Sequence, residues 1–173
     1  MNLDGGAHRI PLAAPGELWI CGKHAIAPDR PGLIGRIGAT DRRVHVVCLV
    51  ERHEIADRYP EYVRWLDSTE NSTWFPIHDL SSPALSTVRG LYVDVWSRVR
   101  GGEVVVAHCA AGMGRAGTLA VAVCVLAGMH LDEALAHVRL HRPGAGPEVG
   151  SQRDVIEEFA RSLRGDRPRS IES

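Results

Sequence analysis

The chain has 173 residues, 45% of them hydrophobic and 24% charged, enough to bury a sizeable core within one domain. Its formal net charge of -1 gives no electrostatic attraction to nucleic acid or an anionic membrane, so neither is expected as a partner. The longest apolar run, Thr118 to Leu126, is too short to cross a bilayer, and Met1 to Gly16 carry no secretory pattern. A cytoplasmic protein is expected, with four cysteines and no disulfide framework.

Residues 1–16 contain glycine and proline without a clear period and read as a loose arm ahead of a domain over 17–164. Glu17 to Cys21 predict a short strand closed by Gly22, and Pro31 to Ala39 a short helix with proline near its start. Arg43 to Val50 form the best early strand, whose run Val46-Val47-Cys48-Leu49-Val50 predicts burial on both faces. Glu51 to Arg58 and Pro60 to Leu66 read as short helices. The quartet Glu51-Arg52-His53-Glu54 reads as a solvated helix start, with a pocket rim as the alternative. Thr73-Trp74-Phe75 enter another strand, stopped at Pro76.

Pro83 opens a helix with Leu85, Val88, Tyr92, Val95, Trp96 and Val99 at helical spacing, Ser82 as its N-cap and Gly101-Gly102 as its end. Val104 to Ala107 are a β-branched core strand, and Thr118 to Val123 a buried helix. Asp132 to His141 and Gly150 to Arg164 are amphipathic helices, and residues 165–173 read as a disordered tail. Strands alternating with helices predict an α/β domain with a central, mainly parallel sheet flanked by helices. In such a domain the site lies beyond the carboxyl ends of the strands.

One stretch at such an end carries chemistry: His108-Cys109-Ala110-Ala111-Gly112-Met113-Gly114-Arg115. A cysteine attacks only as the thiolate, which the N-terminus of a following helix favours. A loop wrapped onto that helix can turn the backbone N–H groups of Ala110, Ala111, Gly112, Met113 and Gly114 toward an anion. Arg115 offers a planar fork matched to two phosphate oxygens. These parts serve nucleophilic attack on a phosphate ester, and the leaving oxygen then needs an acid from elsewhere. Asp79 fits, just past a strand end in the segment Pro76-Ile77-His78-Asp79-Leu80-Ser81-Ser82-Pro83.

His-Cys, five residues and Arg, together with the Pro-Ile-x-Asp-x-x-x-Pro segment, resemble the cysteine-dependent tyrosine and dual-specificity phosphatases. The likeness is to the kinase-associated phosphatase branch in particular. It extends to Gly144-Ala145, Gln152 and Glu158-Phe159, and so covers most of residues 17–163. The resemblance implies hydrolysis of phosphotyrosine in a protein, and beyond it phosphoserine or phosphothreonine, through a phosphocysteine and without cofactor or metal. It also implies that His108 orients the loop and helps hold the thiolate, and that Gln152 positions the hydrolytic water, a solvent-facing glutamine being the alternative. Cys48 would be a redox partner of Cys109, an inert buried core cysteine being the alternative. Ala110, Ala111 and Met113 stand where lysines would attract extra phosphates, which disfavours highly charged lipid headgroups. Members usually carry Ser or Thr after the arginine; here that residue is Ala116, so slow breakdown of the phospho-enzyme is expected. A non-catalytic phosphoprotein-binding module and a rhodanese-like sulfurtransferase remain as other classes. A monomer is assumed.

Overall fold

A computed structural model describes residues 6–165. In chain order it contains β1 (His8–Ile10), β2 (Glu17–Gly22), α1 (Lys23–Ile26), α2 (Arg30–Arg36), β3 (Val44–Cys48), a 3-10 turn (Arg52–Glu54), α3 (Pro60–Ser68) and β4 (Ser72–Trp74). Then follow α4 (Leu85–Arg100), β5 (Val104–Cys109), α5 (Gly114–Leu126), α6 (Leu131–His141) and α7 (Gly150–Gly165).

The strands form one sheet in the order β1-β2-β5-β3-β4, parallel except for β1, which runs antiparallel to β2. This is the expected α/β architecture with a mainly parallel sheet. β5 lies at its centre with every residue buried, and β3 is buried from His45 onward. That is what strands covered on both faces require, and it explains their β-branched runs. α5 packs against β5 and β2 and is enclosed by α4, α6 and α7, which is why its sequence is apolar all round.

Two local expectations give way. The loose arm does not extend to residue 16: His8–Ile10 pair with Leu18–Ile20, and Ile10 is fully buried. Three residues are too few to show a period, so the sheet edge alone decides this strand. Ser82 does not cap α4, which starts two residues beyond Pro83 with Ala84 extended at its cap; the Ser82 hydroxyl donates to the Pro83 carbonyl instead. Ser81 and Ser82 are drawn over a small cavity that they line with Arg115, Thr118 and Gln152, and that tertiary contact outweighs a local cap. The tail expected over 165–173 falls, past Gly165, outside the described residues.

Because β2, β3, β4 and β5 are parallel, their carboxyl ends share one edge of the sheet. Four segments meet there: Gly22-Lys23, Glu51–Glu54, Ile77–Asp79 and the loop from Cys109 to Arg115.

Candidate active site

Cys109 is the last residue of β5, and Arg115 the second residue of α5. Between them the backbone turns through Gly112 at φ +72°, a conformation that favours glycine. A Cβ there would also lie 2.4 Å from the Cys21 carbonyl carbon, so the loop sits directly on the end of β2.

The carbonyls of the loop are all held from outside it. The Ala110 carbonyl accepts from the Lys23 amide at 3.0 Å, and those of Ala111 and Gly112 accept from the Arg142 guanidinium at 2.8 and 2.7 Å. The Met113 carbonyl accepts from the amides of Gly117 and Gly146. In a trans peptide the C=O and the next N–H point in opposite directions. Anchoring four successive carbonyls outward therefore turns the N–H groups of Ala111, Gly112, Met113 and Gly114 inward. The result is a ring of donors above the N-terminus of α5, a cradle for a compact anion.

Arg115 is 1% exposed and gripped from one side. Its Nη1 donates to Glu54 Oε2 and to the Ile77 carbonyl, and its Nη2 to Glu54 Oε1, all at 2.8 Å. Of the five guanidinium protons, this leaves Nε–H and one on Nη2, the adjacent pair suited to two oxygens of a phosphate. Asp79 Oδ1 stands 3.2 Å from Nη2. Burial works against the charge of Arg115, but the bond to Glu54 and the neighbouring Cys109, Glu54 and Asp79 hold its pKa above the ordinary value. Burial would likewise raise Glu54, and the Arg115 bond, the Glu51 amide, and the charges of Arg115 and Lys23 bring it below the usual carboxylate range.

Asp79 is 61% exposed on a loop held at both ends. Ile77 is tied back by Arg115 and by its own amide to the Leu49 carbonyl, and the Ser81 carbonyl accepts from Gln152 Nε2 at 3.3 Å. Leu80, at φ +54°, takes a left-handed turn in which its amide donates to Asp79 Oδ1. The sheet edge thus brings Cys109, Arg115 and Asp79 into one place.

His108 is fully buried, with Nε2 paired to the Tyr62 hydroxyl at 2.8 Å. Burial lowers its pKa to about 4, with the Cys109 backbone opposing and the Arg115 charge assisting, so the ring is neutral at physiological pH. Gln152 is 1% exposed, which excludes the solvent-facing alternative; its Oε1 accepts from the Glu148 amide at 2.8 Å. Cys48 lies in register with His108, and strand alternation puts its side chain on the His108 face, one residue short of Cys109. The redox pairing expected from sequence therefore needs the strand end to shift. Burial pushes the Cys48 thiol up to about 12. Ala116 is buried, and the Thr118 hydroxyl faces no hydrogen-bond partner among the described residues.

Three contributors are not legible as such in the sequence. Glu54, read as part of a solvated helix start, is only 12% exposed and forms the bidentate pair with Arg115. Its reciprocal capping box with Glu51 at the 3-10 turn fixes that geometry. An acidic residue just past a buried strand is the available signal. Tyr62 looks like one apolar position among several on α3, and Arg142 like a charged residue ending α6. Nothing in their spacing marks them. Among the described residues, no group of three or more His, Cys, Asp or Glu is placed to hold a metal ion, and no helix is long and apolar enough to cross a membrane.

Comparison with known proteins follows the same line. The chain belongs to the PTP-SAK family, described as the Swiss Army Knife protein DSP-PTPase phosphatase domain, whose model matches residues 37–173. Among solved structures it is similar to Tk-PTP in the active form, at 28% identity and a TM-score of 0.65, covering 89% of this chain and 97% of that one. Human DUSP28 shares 16% identity, with a TM-score of 0.64 over 90% of this chain and 95% of that one. Kinase-associated phosphatase with its catalytic cysteine replaced by serine shares 14%, with a TM-score of 0.72 over 96% and 100%. The last two show the shared fold. No curated protein matches the chain.

Proposed function

We propose that this phosphatase domain hydrolyses phosphotyrosine in proteins, and beyond it phosphoserine or phosphothreonine, through a phosphocysteine intermediate. The observation that carries the reading is the donor ring above Cys109, its four carbonyls tied outward, closed by the Nε–Nη2 edge of Arg115 that Glu54 leaves open. The Cys109 thiolate attacks phosphorus in line, and the phosphorus–ester oxygen bond breaks. The loop N–H groups and Arg115 hold the other oxygens, whose charge grows in the transition state. Asp79 gives its proton to the leaving oxygen, then takes one from the water that breaks the phosphorus–sulfur bond, releasing phosphate and thiolate. The remaining Nε2 proton of Gln152 is the donor for that water. His108, neutral and fixed by Tyr62, acts by holding the strand end rather than by charge. Ala110, Ala111 and Met113 add no cation to the loop, which favours a monophosphorylated protein over a polyphosphorylated headgroup.

The test is turnover of phosphopeptides and phosphoinositides without metal, by the wild type and by Cys109→Ser. Wild-type hydrolysis of phosphotyrosine peptides is expected. The serine variant should lose turnover while still binding inorganic phosphate, because the donor ring and Arg115 remain. Substantial turnover by the serine variant would reject the cysteine mechanism. Sulfur transfer from thiosulfate, or peptide binding with no hydrolysis, would move the chain to another class.

A further inference from the structure

We infer that Arg142 is a positioning residue of the catalytic loop, and that Gly6 and His8 of the N-terminal segment hold it there. This rests on the phosphatase reading above, because the loop it positions is the proposed phosphate cradle.

Arg142 directly follows α6, in extended conformation, and is 4% exposed. Its guanidinium lies behind the loop with its donors divided between two directions. Toward the loop, Nε donates to the Gly112 carbonyl and Nη2 to the Ala111 carbonyl, so one planar fork fixes two consecutive peptide groups. A lysine ammonium has no such rigid pair of donors. Since each carbonyl is opposed by the following N–H, this fork sets the inward direction of the Gly112 and Met113 amides. Toward the N-terminus, Nη1 donates to the Gly6 carbonyl and pairs with His8 Nδ1. β1 is thereby joined to the back of the catalytic loop, although neither Gly6 nor His8 belongs to the site edge of the sheet.

A second observation concerns charge. Among the described residues no carboxylate is paired with Arg142, whereas Arg115 has both Glu54 and Asp79. A buried cation without a counter-ion is costly. Burial pushes Arg142 below the usual arginine value, and negative charge on Cys21 or Cys109 opposes this. Its guanidinium bonds the carbonyls of Ala111 and Gly112, two and three residues beyond Cys109, so the charge lies directly behind the cradle. It meets an anion when the thiolate forms or a phosphate enters the cradle, and so favours both.

Full-length Arg142→Met, Arg142→Lys and His8→Ala decide the matter. Three measurements are made on each: thermal unfolding, kcat and KM on an aryl phosphate, and the rate at which iodoacetamide alkylates Cys109 at neutral pH, mapped by peptide mass. Arg142→Met should lose about a hundredfold in kcat, the scale expected when reacting groups are misplaced by an ångström, and should alkylate more slowly. Arg142→Lys should recover alkylation more than kcat, because it restores the charge but not the fork. His8→Ala should show a smaller loss of the same kind. A folded Arg142→Met with kcat within twofold of wild type, or with an unchanged alkylation rate, overturns the proposal. If that variant does not fold, wild-type kcat and alkylation in both other variants overturn it. Alkylation needs no phosphate ester, so it separates failure of this proposal from failure of the phosphatase reading.

Discussion

The Glu54–Arg115 pair explains how an arginine can be rigid and still available to substrate. Two guanidinium nitrogens are occupied by one carboxylate, which stops the long side chain from swinging and turns the Nε–Nη2 edge toward Asp79 and the proposed phosphate site. Glu54→Gln keeps the shape but removes the charge. It should cost about 2 kcal/mol of stability, the range for a hydrogen bond to a buried charge. Because the site becomes more positive, KM should not rise, and the loss should fall on kcat; thermal melts and steady-state kinetics check both. Asp79→Ala makes a different prediction. Only a basic leaving oxygen needs a proton from the enzyme, so hydrolysis of a phosphotyrosine peptide should suffer far more than that of a nitrophenyl phosphate. Equal losses on the two substrates would point to another acid.

At the scale of elements, the strand–loop–helix unit from Val104 to Leu126 is clamped on both sides of its turn by close backbone packing, at Gly112 against Cys21 and at Gly117 against Gly146. Gly117 is one clamp: a Cβ there would lie 2.3 Å from the Gly146 amide nitrogen, which is backbone and cannot step aside. Gly117→Ala should therefore destabilise by about 1–3 kcal/mol, as overpacking does. It should also disturb Met113, whose carbonyl accepts from both the Gly117 and Gly146 amides. Denaturant midpoints and phosphate affinity should fall together; a stability loss with unchanged phosphate affinity would show that the Gly117 contact does not set the loop. The start of α4 teaches the converse. Ser82-Pro83 is a good local helix start, yet the segment after Ile77 keeps those residues because Gln152 of α7 holds Ser81.

For the whole molecule, the parallel sheet gathers ionisable groups at one buried edge, and this predicts how stability responds to acid. His108 titrates near 4 when folded, against 6.5 in the open chain, so between those values the unfolded state binds the extra proton. Stability is then complete above about pH 6.5 and falls as pH drops toward 4, by at most about 3 kcal/mol. Glu54 adds to this in the same direction: its folded pKa is depressed below 4.5, so its contribution is present above that value and is lost on further acidification. Urea midpoints measured from pH 7 to 4 should fall, and fall less in His108→Gln. Parallel curves for the two proteins would mean that His108 does not control this window.

The residue types and their order were enough to define the α/β class, the central strand, and the loop from Cys109 to Arg115, because each rests on local rules. Burial on both faces demands β-branched runs, a sharp turn demands glycine, and a phosphate demands an arginine fork. Asp79 stood out mainly through the family resemblance, and the structure places it 3.2 Å from Arg115. The tertiary structure alone decided what meets that loop from a distance. Glu54 and Tyr62 stand 61 and 46 residues from their partners Arg115 and His108, while Arg142 reaches both Gly112 and, 134 residues away, His8. Such pairings have no period and no fixed spacing, since they depend on which strands become neighbours. The edge strand β1 follows the same principle: three residues become a strand only because the exposed edge of β2 offers its hydrogen bonds.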